Sequence, residues 1–168
     1  MKFASKKIAA AVGSLALLGS VGAQAATATA TFQVTATVAS SCLVSATELA
    51  FGSITPTEAA TELAKTSTIS VTCSNTHPYT VNVGFGANTG TEANRFMKNS
   101  ANEDKLAYNI YTEASHTNVF GDGTGVSKNV PLVGTGAAQT VTVFGRLLQN
   151  QFVSAGTYAD TLTVNVAY

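Results

Sequence analysis

Few residues in this chain could carry out chemistry, and their spacing predicts no active site. The histidines, His77 and His116, lie in polar, turn-like sequence, and neither has a nucleophile motif such as G-x-S-x-G beside it. The cysteines, Cys42 and Cys73, form no C-x-x-C pair, and the scattered aspartates do not follow the ligand series of a calcium loop. We therefore expect no enzyme activity, no cofactor, no metal site and no small-molecule substrate.

The first 25 residues predict export out of the cytoplasm. Three lysines precede an apolar run over residues 8–21, and the stretch ends in "AQA", a small-x-small cleavage site. The apolar run is shorter than the roughly 20 residues that a membrane-spanning helix needs. This pattern is typical of a secretory signal peptide that is cleaved after Ala25.

Export makes a disulfide the expected state of Cys42 and Cys73, because thiols are oxidised outside the cytoplasm. A metal or redox site is the alternative, but neither histidine lies in a sequence context that suggests a ligand. In the chain-entropy model, a bond that closes this loop stabilises the fold by roughly 3 to 4 kcal/mol.

The composition of the mature chain excludes some classes of partner. Three of the nine basic residues lie in the predicted signal peptide, so the remaining 143 residues carry six basic and nine acidic side chains. The resulting net charge of −3 leaves no basic patch for nucleic acid or for an anionic membrane surface. This length suits one domain, and the abundance of Thr, Val, Ser, Asn and Gly favours strands joined by turns.

A long alternating segment follows the cleavage site. In "ATATATFQVTATV", residues 26–38, small or apolar residues alternate with polar ones at period two, which predicts a strand. One face of this strand would carry Phe32, Val34, Ala36 and Val38, and the other face would carry threonines and Gln33. No neighbouring sequence offers the tight hairpin partner that such a strand normally has.

Shorter runs with the same period follow along the chain. They predict strands at residues 49–54, 68–73, 79–85, 106–111, 117–120, 140–148 and 157–168. This number and spacing of strands predict an all-β fold, an immunoglobulin-like β-sandwich.

The chain ends within an alternating segment, "GTYADTLTVNVAY", residues 156–168. Its apolar face carries Leu162, Val164, Val166 and Tyr168. Together with residues 26–38, this gives two exposed surfaces on which a sheet could grow. Such edges are aggregation hazards in isolation, and joined between neighbouring molecules they would make a polymer.

Three segments make the sequence similar to the spore coat protein U domain family, which includes the Csu-type pilin subunits of archaic chaperone-usher pili. They are "ISVTCSN" (residues 69–75), "LAYNIYTEASHTNVFGDG" (residues 106–123) and "GTYADTLTVNVAY". The resemblance extends over nearly the whole mature chain. The final motif, G-x-Y-x-D-T-L-x-V-x-V-x-aromatic, is its most specific part.

This resemblance implies an immunoglobulin-like sandwich that lacks its last strand. A periplasmic chaperone supplies the strand first, and the N-terminal extension of the next pilin subunit supplies it in the fibre, which is assembled through an outer-membrane usher. Residues 26–40 are then the donor-strand extension, and residues 41–168 are the pilin domain, with Cys42 bonded to Cys73. The fibre would serve adhesion and biofilm formation.

The resemblance also implies roles for individual residues. The donor residues are Phe32, Val34, Ala36 and Val38. The edge of the acceptor groove, which also contacts the chaperone, consists of Leu162, Val164, Val166 and Tyr168. Ala36 departs from the pattern, because a bulky aliphatic residue is expected at that position.

Two other functions fit parts of the sequence. A small outer-membrane β-barrel also has a signal peptide, alternating strands and a terminal aromatic residue, but most strands here are shorter than the ~9 to 11 residues needed to span. A secreted monomeric carbohydrate-binding β-sandwich would present aromatic platforms, and this chain contains no Trp.

Overall fold

The structure is a computed structural model that describes residues 25–55, 63–88, 90–91 and 93–168. The described residues form nine strands and no helix, which confirms the all-β prediction. The strands are β1 (Cys42–Ala46), β2 (Leu63–Cys73), β3 (Pro78–Val83), β4 (Arg95–Asn99), β5 (Lys105–Tyr111), β6 (Val130–Val133), β7 (Gln139–Leu147), β8 (Tyr158–Ala159) and β9 (Val164–Ala167).

Within these described ranges, no helix could cross a membrane. The predicted signal peptide lies, as far as Gln24, outside the described residues. The chain divides into two units, Met1–Thr37 and Val38–Tyr168, and the nine strands belong to the second unit.

The nine strands form two antiparallel sheets. The larger sheet has the order β1-β2-β7-β5-β4-β8, and the smaller sheet has the order β6-β3-β9. The strands of the second unit alternate as the sequence predicts: Ile69 and Val71 of β2 are buried, as are Val81 and Val83 of β3, while the residues between them are more exposed. The buried faces of both sheets meet in one apolar core.

The disulfide joins Cys42 to Cys73, which are directly opposite each other in the register of β1 and β2. Their Cα atoms are 4.1 Å apart. Both side chains face the core, where Cys73 is fully buried. The bond therefore fixes the first residue of β1 to the last residue of β2.

Some predicted strands are absent from the structure. Residues 49–54 form no strand, and Leu49 and Phe51 pack against the core from an irregular segment. Residues 117–120 make only isolated bridges. The predicted strand 157–168 is divided into β8 and β9, because the residues around Asp160 leave the strand to bond with the 84–88 loop.

Residues 25–41 have no regular secondary structure, so the strand predicted for residues 26–38 is not present in the single chain. The side chains of this segment are exposed, with 87% of Phe32, 82% of Val34 and 92% of Val38 accessible. A strand is held by backbone hydrogen bonds to a partner strand, and the alternating pattern alone supplies no partner.

Candidate functional site

An apolar groove opens between the two sheets. Its cavity volume is about 340 Å³. Residues of both sheets line it, including Ile69 of β2, Val83 of β3, Ile110 of β5 and Val143 of β7. The remaining lining residues are Ala46, Thr47, Glu48, Leu49, Phe51, Ser67, Met97, Tyr108, Tyr158, Ala159, Asp160, Thr161, Leu162 and Val164. The core of the sandwich is thus open to solvent on this side.

One flank of the groove is β9, an edge strand of the smaller sheet. It pairs with β3 on one side, and no described strand pairs with its other edge. The Gly84 N–H donates to the Thr163 carbonyl (2.9 Å), so the backbone of Thr163 faces β3. The backbone N–H and C=O groups of successive residues point to opposite sides of an antiparallel strand. Those of Leu162, Val164 and Val166 therefore point toward the open edge. Their half-buried side chains point into the sandwich.

The other flank is β1, an edge strand of the larger sheet that lies beside β9. The Thr47 N–H donates to the Thr68 carbonyl (2.9 Å), so the backbone of Thr47 faces β2. By the same alternation, Val44 and Ala46 direct their backbone groups toward the open edge. By alternation Val44 lies on the same face of β1 as Cys42, and 45% of its surface is exposed among the described residues.

The edges that flank the groove differ from the other two edges of the sheets. On the outer edge of β6, Pro131 has no N–H to offer, which prevents strand addition. The outer strand at the far end of the larger sheet, β8, has only two residues. In contrast, β1 and β9 contain no proline and no charged residue. The open edges are therefore the ones beside the apolar groove.

The four residues predicted for the groove edge fall into two pairs. Leu162 and Val164 line the groove. Val166 lies further along β9, half-buried against the core, and Tyr168 is 58% exposed with its ring edge-on to His77 at 6.3 Å. The four predicted donor residues, Phe32, Val34, Ala36 and Val38, lie in the irregular segment described above and are exposed.

A polar cluster at one end of the groove was not predicted from the sequence. The carboxylate of Asp160 accepts hydrogen bonds from the Tyr108 hydroxyl (2.7 Å), the Ala87 N–H (2.9 Å), the Asn88 side-chain amide (3.0 Å) and the Thr161 N–H (2.9 Å). Burial raises the pKa of the Tyr108 phenol, the hydrogen bond to Asp160 and the Asp160 charge raise it further, and the Arg95 charge opposes them. The phenol therefore stays protonated and acts as a donor to Asp160.

The residues considered for catalysis lie apart from the groove. His77 precedes β3, and His116 contacts the Tyr111 ring at 5.1 Å in the loop after β5. In the described ranges, no group of three or more His, Cys, Asp or Glu side chains could hold a metal ion. What the arrangement offers is apolar surface and unpaired backbone, which are the two requirements for binding an extended segment.

A sandwich with an open core between two unprotected edges defines a class of proteins that can accept an added strand. The sequence model of the Spore Coat Protein U domain matches residues 28–165. This chain belongs to the spore coat protein U domain family.

Two similar proteins illustrate the likeness. Protein U of Myxococcus xanthus is 29% identical over 174 residues, an alignment that covers 96% of both chains. Among solved structures, the chain resembles the CsuC–CsuE chaperone–tip adhesion subunit pre-assembly complex from archaic chaperone-usher Csu pili of Acinetobacter baumannii. The TM-score is 0.56 at 27% identity, over 79% of this chain and 40% of the matched chain, so this chain spans less than half of that length.

Proposed function

We propose that this protein is a structural, non-enzymatic subunit of an extracellular pilus, assembled by donor-strand exchange. The observation that carries the proposal is the apolar groove between β1 and β9, whose flanking edges both present unpaired backbone groups. A strand inserted there gains main-chain hydrogen bonds and closes the core. The solved relative, a pre-assembly complex of a chaperone with a subunit of Csu pili, supports the same process.

The donor in the fibre is residues 26–40 of a neighbouring copy. Its Phe32, Val34, Ala36 and Val38 alternate at the same two-residue spacing as the inward side chains of β9, so each can enter the groove while the threonines between them stay in water. Burying the phenylalanine and the two valines contributes roughly 5 to 9 kcal/mol before the cost of ordering the segment.

We propose that export and assembly of the chain proceed in three stages. Residues 1–25 direct export and are removed after Ala25. A periplasmic chaperone then covers the groove, with contacts along Leu162, Val164, Val166 and Tyr168, because an open apolar core would otherwise aggregate. At an outer-membrane usher, the extension of the next subunit replaces the chaperone. The fibre then supports adhesion and biofilm formation at the cell surface.

Substitutions on the two faces of the donor segment test this function. Phe32→Asp places a carboxylate on the inward face, where burying an unpaired charge costs more than the remaining contacts offset, so fibres should be lost. The subunit should still bind its chaperone, because the groove itself is unchanged. The measurement is electron microscopy of the cell surface together with co-purification of the chaperone.

The matched control is Gln33→Asp, which introduces the same charge one residue away on the outward face. Fibres should assemble with this variant. Equal loss of fibres in both variants would contradict the proposed register, and normal fibres with Phe32→Asp would contradict donor-strand exchange through this segment.

A further inference from the structure

We propose that Asp160 is a positioning residue for strand acceptance, which fixes the rim of the groove at residues 158–162 before a donor strand arrives. The inference rests on the function proposed above. It concerns how the open groove keeps its shape while the strand that would complete the sandwich is absent.

The rim must be held in place by other contacts, because regular strand pairing is interrupted there. Strand β8 ends at Ala159 and β9 begins at Val164, so residues 160–163 belong to neither strand. Yet this connection supplies Asp160, Thr161 and Leu162 to the lining of the groove. In a completed sandwich, a neighbouring strand would hold such a segment by backbone hydrogen bonds.

The Asp160 carboxylate joins this connection to both sheets. Through Ala87 and Asn88 it holds the loop that follows β3 of the smaller sheet, and through Tyr108 it holds β5 of the larger sheet. The Asn88 amide also donates to the carbonyl of Ala159 (2.8 Å), which ties the same loop to the end of β8. One carboxyl side chain therefore connects the rim, the loop and the floor of the groove.

Tyr108 extends the effect of Asp160 into the groove. Its ring lines the cavity and packs edge-on against Phe51 at 6.2 Å, while its hydroxyl is held by the carboxylate. Gly86 leaves room for the Asp160 carboxylate, because a Cβ at this position would overlap it. Its φ of +99° is also one that glycine adopts readily. Asp160 thus orients a floor residue as well as the rim.

The experiment starts from the purified complex of the mature chain, residues 26–168, with its periplasmic chaperone, which keeps the open groove soluble. A labelled synthetic peptide, residues 26–40, is added, and fluorescence anisotropy measures its binding as it displaces the chaperone. The acceptor chain carries Phe32→Asp so that its own extension does not compete. In this background Asp160→Asn keeps the size of the side chain but turns an amide donor toward groups that are themselves donors. We expect peptide affinity to fall about tenfold or more, the effect of losing hydrogen bonds to a charged group.

A second variant shows whether Asp160 acts partly through Tyr108. Tyr108→Phe removes only the hydroxyl and should weaken peptide binding about tenfold, the effect of one lost hydrogen bond to a charged group. If the two residues act as a unit, the double variant should bind little more weakly than Asp160→Asn alone. Additive losses would contradict the link through Tyr108.

The control variant is Asp104→Asn. The Asp104 carboxylate also fixes a loop, accepting hydrogen bonds from the Ser154 N–H (3.1 Å) and the Ser154 hydroxyl, but it does not line the groove. Its peptide affinity should stay within about twofold of the parent, as expected for an exposed polar contact. A residue that only stabilised the fold would lower the melting temperature without changing peptide affinity, so both are measured for every variant.

The outcomes separate the two proposals. If the parent chain does not bind the peptide, the proposed function is overturned. If the parent binds and Asp160→Asn binds equally well, the positioning role is overturned and the function stands. Should Asp160→Asn fail to fold, Tyr108→Phe carries the test, and unchanged affinity of that variant overturns the positioning role.

Discussion

Arg95 is the largest fully buried side chain in the described part of the chain, and it is charged. Its guanidinium donates to the carbonyls of Gly84 (3.0 Å) and Phe120 (2.7 Å) and to the side-chain oxygen of Asn109 (2.6 Å). These acceptors belong to three separate segments around the end of β3. Burial of a charge is tolerated when its donors are satisfied in this way.

Replacing Arg95 with lysine should destabilise the domain. An ammonium group cannot reach three acceptors arranged for a planar guanidinium, so at least one buried oxygen loses its partner. We expect the free energy of unfolding to fall by roughly 2 to 4 kcal/mol, measured by urea denaturation of the monomeric chain.

The matched control for Arg95→Lys is Lys98→Ala in the same strand. Lys98 forms an exposed ion pair with Glu103 at 2.8 Å. Removing it should cost less than about 1 kcal/mol, because exposed pairs contribute little. Similar losses in the two variants would contradict the assigned role of the buried guanidinium.

At this scale, the sequence predicted residues whose role depends on alternation and missed those whose role depends on distant contacts. Alternation at period two placed Leu162 and Val164 on the apolar face of the last segment, and the family resemblance implied their role at the groove edge. Asp160 contacts Tyr108 and Asn88 across separations of 52 and 72 residues. No local pattern encodes such pairs, although Asp160 is part of the terminal motif through which the family resemblance was identified.

At the scale of elements, the strands that were predicted are those with unbroken alternation, such as β3, β5 and β7. Strand β4 was missed because its sequence, "RFMKN", places a charged residue at a buried position, and β6 was missed because it contains Pro131. Residues 49–54 were wrongly predicted as a strand. Leu49 and Phe51 alternate because their side chains pack against the core, but their segment pairs with no described strand. Gly52, with a φ of +83°, interrupts an extended backbone there.

If the groove is open, a donor strand attached to the end of the same chain should fill it. In a rearranged chain, residues 26–40 are removed from the N-terminal side and placed after Tyr168 through a short Gly/Asn turn, so that they run antiparallel to β9. The fused strand should insert Phe32, Val34, Ala36 and Val38 at high effective concentration and with little loop entropy to overcome. The product should be a soluble monomer that does not polymerise and needs no chaperone.

Size-exclusion chromatography and a thermal melt check this prediction. The reference is the truncated chain without the appended strand, which should melt at a much lower temperature. A fused chain that aggregates, or that melts no higher than the truncated one, would mean that the domain is already complete.

At the scale of the whole molecule, the proposed function requires export and oxidation before assembly. The exported protein should begin at Ala26, and its two thiols should resist alkylation until they are reduced, because Cys42 and Cys73 are bonded. Intact-mass measurement with and without reductant tests both statements. A mature mass that retains residues 1–25, or alkylation of both cysteines without reduction, would contradict the proposed processing.

In the fibre proposed above, the position of the disulfide would determine how a pulling force enters the domain. Only residues 39–41 separate Val38, the last proposed donor residue, from Cys42, and the Ser41 carbonyl already accepts a hydrogen bond from the Ser74 N–H (2.9 Å). Tension transmitted by the donor strand therefore enters the domain at the first residue of β1. Without a crosslink, that load would open the pairing of β1 with β2 one residue at a time, starting at Cys42. The covalent bond to Cys73 carries the load past β1 into β2, which is paired along most of its length with β7, so many hydrogen bonds must resist it together.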